Sequence, residues 1–212
     1  MPRTLILIAV CCAAASGTII DRSAILVGTR VIKDSDIRHD IRITAFLNRE
    51  TPDFSLASKR KAASRLIDQE LIRTQIQSGD YPVAPESEAV QLLERIKKER
   101  FSNDAQYRSA LARYGITEPE LKQALEWQLT VLRFIDERFR PAVFVTDEEI
   151  QNYYKAHRAA LERADPKAKS LNDLRPKIEQ LITGEQVNKM FEEWLDRARR
   201  DARVQYREES LQ

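Results

Sequence analysis

Proton transfer, metal binding and thiol chemistry call for histidines, clustered carboxylates or cysteines, and this sequence of 212 residues offers few of them. Its two histidines are His39 and His157. His39 stands beside Asp40, which reads as a surface pair. A metal or general-base role for His157 would need a partner, and Glu149 lies about two helical turns before it. Its place at the expected end of that helix, beside a polar stretch, instead reads as an imidazole set against the negative end of the helix dipole. Asp68 and Glu70 are two residues apart, and side chains two apart on a helix point to different sides, so this carboxylate pair does not converge. Asp147, Glu148 and Glu149 make an acidic first turn that suits the helix dipole with no active site required. Arg197, Arg199, Arg200 and Arg203 read as a solvated helix end rather than a phosphate clamp. The sequence contains no Walker loop, dinucleotide fingerprint, His-Glu-x-x-His motif or Gly-x-Ser-x-Gly elbow. Neither a catalytic residue, a metal ligand nor a cofactor is expected.

Composition narrows the classes further. Hydrophobic residues make up 42% and charged residues 32%, as in a folded globular chain that can bury a core. The 35 basic and 33 acidic residues nearly cancel, leaving +2, without the basic field a nucleic-acid partner needs. Five glycines among plentiful Ala, Leu, Glu, Arg, Lys and Gln favour helices over glycine-rich sandwiches. Met1-Pro2-Arg3, the apolar run Leu5 to Ala15 and the small residues up to Gly17 have the layout of a secretory signal peptide, assigned here to residues 1–17. The run is too short for a stable membrane span, which takes about 20 residues. Cys11 and Cys12 both fall inside it. A lipid-modified cysteine is the lesser reading, because Val10 is bulkier than such cleavage sites favour. The mature chain would then hold no thiol.

The elements that must position everything else are mostly helices. Ala24 to Val27 and Arg30 to Ile32 flank Gly28-Thr29, which predicts a tight hairpin with positive φ at its first loop position. Helices are expected from a Ser35 or Asp36 cap to Leu47, from Ser55 to Gln77, from Glu86 to Arg100, and from a Ser102 or Asn103 cap to Tyr114-Gly115. Thr117, Pro119 and Glu120 form a capping box that starts a fifth helix ending at Phe139. Leu121, Leu125, Leu129, Leu132 and Ile135 make one stripe of that helix, and Trp127, Val131 and Phe134 a second. Two apolar faces make it the spine of the domain. Thr146 caps a sixth helix ending near His157, residues 158–170 read as a linker, and a last helix runs from Leu174 to about Arg200 with Asp173 as cap and Pro176 in its first turn. Ala202 to Tyr206 alternates like an edge strand and is expected to join the N-terminal hairpin as its third member.

This arrangement resembles the N-terminal chaperone domain of SurA- and PrsA-type periplasmic foldases, a fold related to the chaperone part of trigger factor. The stretches that carry the resemblance are Ala24 to Asp36, Arg65 to Ile72, Tyr114-Gly115-Ile116-Thr117 with Leu121, Val145 to Ile150 with Tyr153-Tyr154 and His157, and Trp194-Leu195 with Arg199 and Val204 to Tyr206. In such foldases parvulin isomerase domains stand between the Tyr-Tyr helix and the returning C-terminal helix. Here only residues 158–170 do, too few for a domain, which takes at least about 50 residues. The resemblance implies a mainly α fold, with a helical domain over 18–157 closed by 171–212 and a small antiparallel sheet built from the N-terminal hairpin and a C-terminal strand. It also implies an exported, periplasmic chaperone-like protein that binds unfolded or extended segments of outer-membrane or secreted proteins without isomerase catalysis. A degenerate prolyl isomerase and a structural adaptor for one folded partner are the alternatives. Candidate client-binding residues are Phe46, Leu47, Phe54 and Leu56 near the first two helices, and Trp127, Val131 and Phe134 on the spine.

Overall fold

The computed structural model describes residues 23–165, 170–207 and 211. The signal-peptide reading of 1–17 and part of the expected linker, 166–169, lie outside these residues. The described chain is mainly helical, with seven α-helices and one three-stranded antiparallel sheet. None of its helices is long and apolar enough to cross a membrane.

The sheet joins distant parts of the sequence. Strands β1 (Ser23–Val27) and β2 (Arg30–Lys33) form the expected hairpin, pairing Ile25 with Ile32 and Leu26 with Val31. Gly28 turns between them at φ +58°, a conformation an L side chain resists. Strand β3 (Val204–Tyr206) lies on the other side of β1, with Ile25 opposite Tyr206 and Val27 opposite Val204. The strand order is therefore β2-β1-β3. Gly28 N–H donates to the Arg203 carbonyl at 3.2 Å, and Arg207 N–H to that of Ala24 at 2.8 Å, extending the ladder at both ends.

Helices α1 (Asp34–Asn48), α2 (Leu56–Ser78), α3 (Glu86–Arg100), α4 (Asp104–Tyr114) and α5 (Glu118–Phe139) follow the sequence pattern closely. α1 starts two or three residues earlier than its expected Ser35 or Asp36 cap, because Lys33 is the cap and Asp36 reaches back to accept the Lys33 N–H at 2.9 Å. Ser55, Asn103 and Thr117 cap α2, α4 and α5 through their side-chain oxygens. Gly115, at φ +64°, ends α4. A short 3₁₀ turn, Arg140–Ala142, closes α5.

Two further boundaries differ from expectation. α6 (Asp147–Ala164) does not stop at His157 but runs seven residues further, through much of what reads as linker. Ala159, Ala160 and Leu161 are good helix formers, Leu161 is buried, and Arg158 pairs with Glu162 one turn on, with Nε to Oε1 at 2.7 Å. The polarity of this stretch marks an exposed helix face rather than a break. α7 (Leu171–Asp201) begins three residues early, capped by Ser170 and boxed by Asp173. Pro176 therefore sits past the first turn. The carbonyl it leaves without its helical partner belongs to Asn172, an exposed residue.

Four clusters make up the interior. Ile43 and Phe46 of α1 meet Leu93, Leu111, Leu121 and Leu125 from α3, α4 and the start of α5. The sheet packs on Ile37, Ile41, Ala63 and Ile67 of α1 and α2, with Leu211 joining them. Ile72 and Ile76 of α2 meet Phe134, Phe139, Val187 and Leu195 from the end of α5 and the second half of α7. Ile150 and Leu161 of α6 pack on Leu174, Ile178 and Ile182 in the first half of α7. The spine thus serves two cores, one at each end. One member of its first stripe departs from expectation, since Leu132 is 63% exposed.

Candidate functional site

Between the two cores served by α5 the helices part, and a cleft of ≈300 Å³ opens where α1 and α2 face the middle of the spine. Each helix contributes one row of residues spaced by three or four, as neighbours on a helix face must be. α1 gives His39, Ile43 and Leu47 with Asp40, Thr44 and Asn48 beside them; α2 gives Arg65, Gln69 and Arg73; α5 gives Glu120, Ala124, Trp127 and the glutamines Gln123 and Gln128. The apolar floor is Ile43, Leu47, Ala124 and Trp127, with Leu47 and Trp127 half-buried.

The charges around this floor are matched to one another. Arg65 Nε donates to Asp40 Oδ2 at 3.1 Å, tying α2 to α1. Burial pushes the Asp40 carboxyl above its ordinary range, against the pull of Arg65. His39 Nδ1 stands 3.7 Å from Glu120 Oε1 and so bridges α1 to α5 when the imidazole is protonated. Glu120 accepts hydrogen bonds from the Thr117 hydroxyl and the Thr117 N–H, both at 2.7 Å, and these hold its carboxyl below the usual range. The Arg73 guanidinium lies 4.4 Å from the centre of the Trp127 ring, a cation–π contact, and 3.7 Å from Glu70. The primary amides of Asn48, Gln69, Gln123 and Gln128 make no hydrogen bond to another described residue. Each keeps a donor and an acceptor available.

The residues singled out from the sequence are distributed unevenly. Leu47 and Trp127 come together in the cleft. Phe46 is a core residue, 4% exposed, stacked on Phe101 at 6.2 Å and edge-on to Tyr114 at 5.4 Å. Phe134 is wholly buried among Tyr81, Phe139 and Trp194, and Val131 is half-buried against the same cluster. Neither Phe46 nor Phe134 presents a face to a client; the second stripe of the spine is largely core because α2 and α7 cover it. Phe54 and Leu56 are exposed at the α1–α2 connection, outside the cleft, with Arg42 lying 5.8 Å over the Phe54 ring. The amides and Ile43, Ala124, Arg65 and Arg73 were not legible as site residues. No local pattern marks them, because they are brought together from three helices far apart in the sequence.

No protein-family model matches the chain, and no curated protein matches it either.

The residues with chemical potential are also placed. His39 does not pair with Asp40, since each turns to a different neighbouring helix. His157 lies in mid-helix, packed on Tyr153 with ring centres 4.3 Å apart. Glu149 accepts the Thr146 N–H and takes the Gln186 amide at 2.9 Å, which fixes it as a cap and a link to α7. Asp68 binds Arg199 of α7, while Glu70 faces Arg30 and Arg73. Among the described residues no three His, Cys, Asp or Glu side chains gather closely enough to share a metal ion. What the cleft offers chemically is an apolar floor, paired charges and a rim of amides: the means to hold a chain.

Proposed function

We propose that this protein is a non-catalytic, exported chaperone that shelters unfolded or extended polypeptide segments, and that the cleft between α1, α2 and α5 holds them. The observation that carries this reading is the meeting of Leu47 and Trp127 under a rim of unpartnered amides. An extended peptide exposes its N–H and C=O groups at every residue, and amide side chains satisfy both kinds at once. Such contacts do not depend on the client's sequence. The floor then takes one apolar side chain, with the Trp127 ring as a rigid contact surface. The paired charges add little net field, so they do not select one sign of client. The resemblance to SurA-type N-terminal domains supports the same role and the same periplasmic setting. Clients are taken to be outer-membrane or secreted proteins.

The test is suppression of aggregation when an unfolded outer-membrane protein is diluted from urea. The intact protein is expected to suppress light scattering at equimolar amounts. Trp127→Ala and Leu47→Asp are expected to lose at least half of that effect while keeping the helical circular dichroism signal. If both folded variants protect as well as the parent, the cleft is not the binding site; if the parent does not protect, the chaperone reading fails.

A further inference from the structure

We propose that a second cleft, on the opposite flank of α2, binds extended peptide segments in which apolar side chains are flanked by carboxylates. It measures ≈470 Å³ and lies between α2, the last turns of α7 and the β1–β2 turn. That is within the range of small-ligand sites, roughly 300–1,000 Å³. Its floor is apolar, made by Val27, Leu71, Trp194 and Ala198.

Its rim differs from that of the first cleft. Arg197 and Arg203 are exposed there, and neither side chain makes an ion pair or a hydrogen bond with a described residue. Neighbouring cations are already held: Arg199 grips both oxygens of Asp68 at 2.6 Å, and Arg30 faces Glu70 at 4.0 Å. Asp201 is the one carboxylate among the lining residues, so the rim keeps a positive surplus. The Thr74 and Ser78 hydroxyls are spent on carbonyls of their own helix, at 2.9 and 3.2 Å, which leaves the Gln75 amide to meet a peptide bond. Nothing stands within 4 Å of where a Cβ on Gly28 would be, so the turn leaves the mouth of the cleft open.

These features select the occupant. A free inorganic anion would leave the apolar floor wet, and an uncharged apolar peptide would leave both guanidiniums without partners. A segment carrying both kinds of group satisfies both, with its carboxylates at Arg197 and Arg203 and an apolar side chain between Leu71 and Trp194. The two clefts differ in charge logic, and this site stands or falls separately from the first.

The two tryptophans of the sequence make the test direct, because Trp127 lines the first cleft and Trp194 the second. Trp127→Phe protein, with Trp194 as sole reporter, is titrated with Asp-Glu-Leu-Phe-Leu-Glu-Asp and with Lys-Lys-Leu-Phe-Leu-Lys-Lys. The acidic peptide is expected to shift Trp194 emission and to bind about tenfold more tightly than the basic one. Arg197→Glu with Arg203→Glu, both at exposed positions, is expected to invert that order. Equal affinity for the two peptides, or acidic-peptide binding that survives the double reversal, overturns the proposal. So does a silent Trp194 when Trp127, alone in Trp194→Phe protein, responds; that result would leave the first cleft standing.

Discussion

Thr130 is the buried polar residue at the heart of the spine, 4% exposed, and its role can be worked out from one bond. Its Oγ1 accepts the N–H of Ala84 at 3.0 Å. Ala84 is itself only 2% exposed and lies in the connection between α2 and α3, which has no ladder of its own. That connection is fixed to α5 by side chains, since Arg133 Nη1 also donates to the Val83 carbonyl at 2.9 Å. Thr130→Val keeps the shape but leaves a buried N–H with no acceptor, at a cost of ~1–3 kcal/mol. Thr130→Ser keeps the acceptor and removes one buried methyl, at a cost of about 1 kcal/mol. With a urea slope on the order of 2 kcal/mol per molar, the valine variant should unfold about 1 M earlier than the parent and the serine variant about 0.5 M earlier. Equilibrium urea unfolding followed by circular dichroism measures both. A valine variant as stable as the serine variant, or more so, would refute the claim that the hydroxyl is there to satisfy Ala84. Hydrogen exchange offers a second check, because the Ala84 amide should be protected in the parent and in the serine variant, and faster in the valine variant.

Three further expectations follow from the same geometry. Phe134→Ala empties a site with no exposed surface and four surrounding aromatic or cationic contacts, and should cost ~3–5 kcal/mol in urea unfolding, far more than Trp127→Ala at its half-buried position. Glu120 caps α5 with its carboxyl held below the ordinary value of 4.5, chiefly by the Thr117 hydroxyl, so its contribution is whole above that value and is lost as pH falls through the lowered one. Glu120→Gln, which keeps the box but cannot titrate, should flatten the acid side of a stability–pH profile below the ordinary carboxylate value, where the parent loses the contribution of its ionised carboxyl. Arg199→Lys breaks the two-pronged grip on Asp68 that ties α7 to α2, and at this half-exposed position should cost at most about 1 kcal/mol, less in high salt.

Where periodicity and capping are local, the sequence spoke clearly. The Thr117–Glu120 box, the Thr146 cap, the Gly115 stop and the Gly28-Thr29 turn each depend on neighbours within a few residues, and each stands where the pattern puts it. The third strand was also legible, because Val204 and Tyr206 alternate around Gln205 beside a hairpin that needs a partner. The polar run after His157 misled, since Arg158, Glu162 and Arg163 on an exposed helix look like a linker unless the lone buried Leu161 is given weight. The site was legible only in part. Apolar side chains announce that they will be buried, but not whether a cleft or a core buries them, so Phe46 and Phe134 read like Leu47 and Trp127. Which of these holds depends on how α3 and α4 are set against α1 for Phe46, and α2 and α7 against α5 for Phe134, and that placement is decided by contacts far apart in the sequence.

The pairing of β1 with β3 also sets an order of events for a growing chain. β1 is synthesised before all seven helices and β3 after all of them, so the middle strand waits with one edge open while the rest is made. Closing so long a loop is slow by nature, and until it closes the bare edge is a template for other chains. A polypeptide stopped anywhere short of Val204 keeps that edge and lacks Val204 and Tyr206 from the cluster beneath the sheet. Completion of the strand therefore exchanges the five-residue edge of β1 for the three-residue edge of β3.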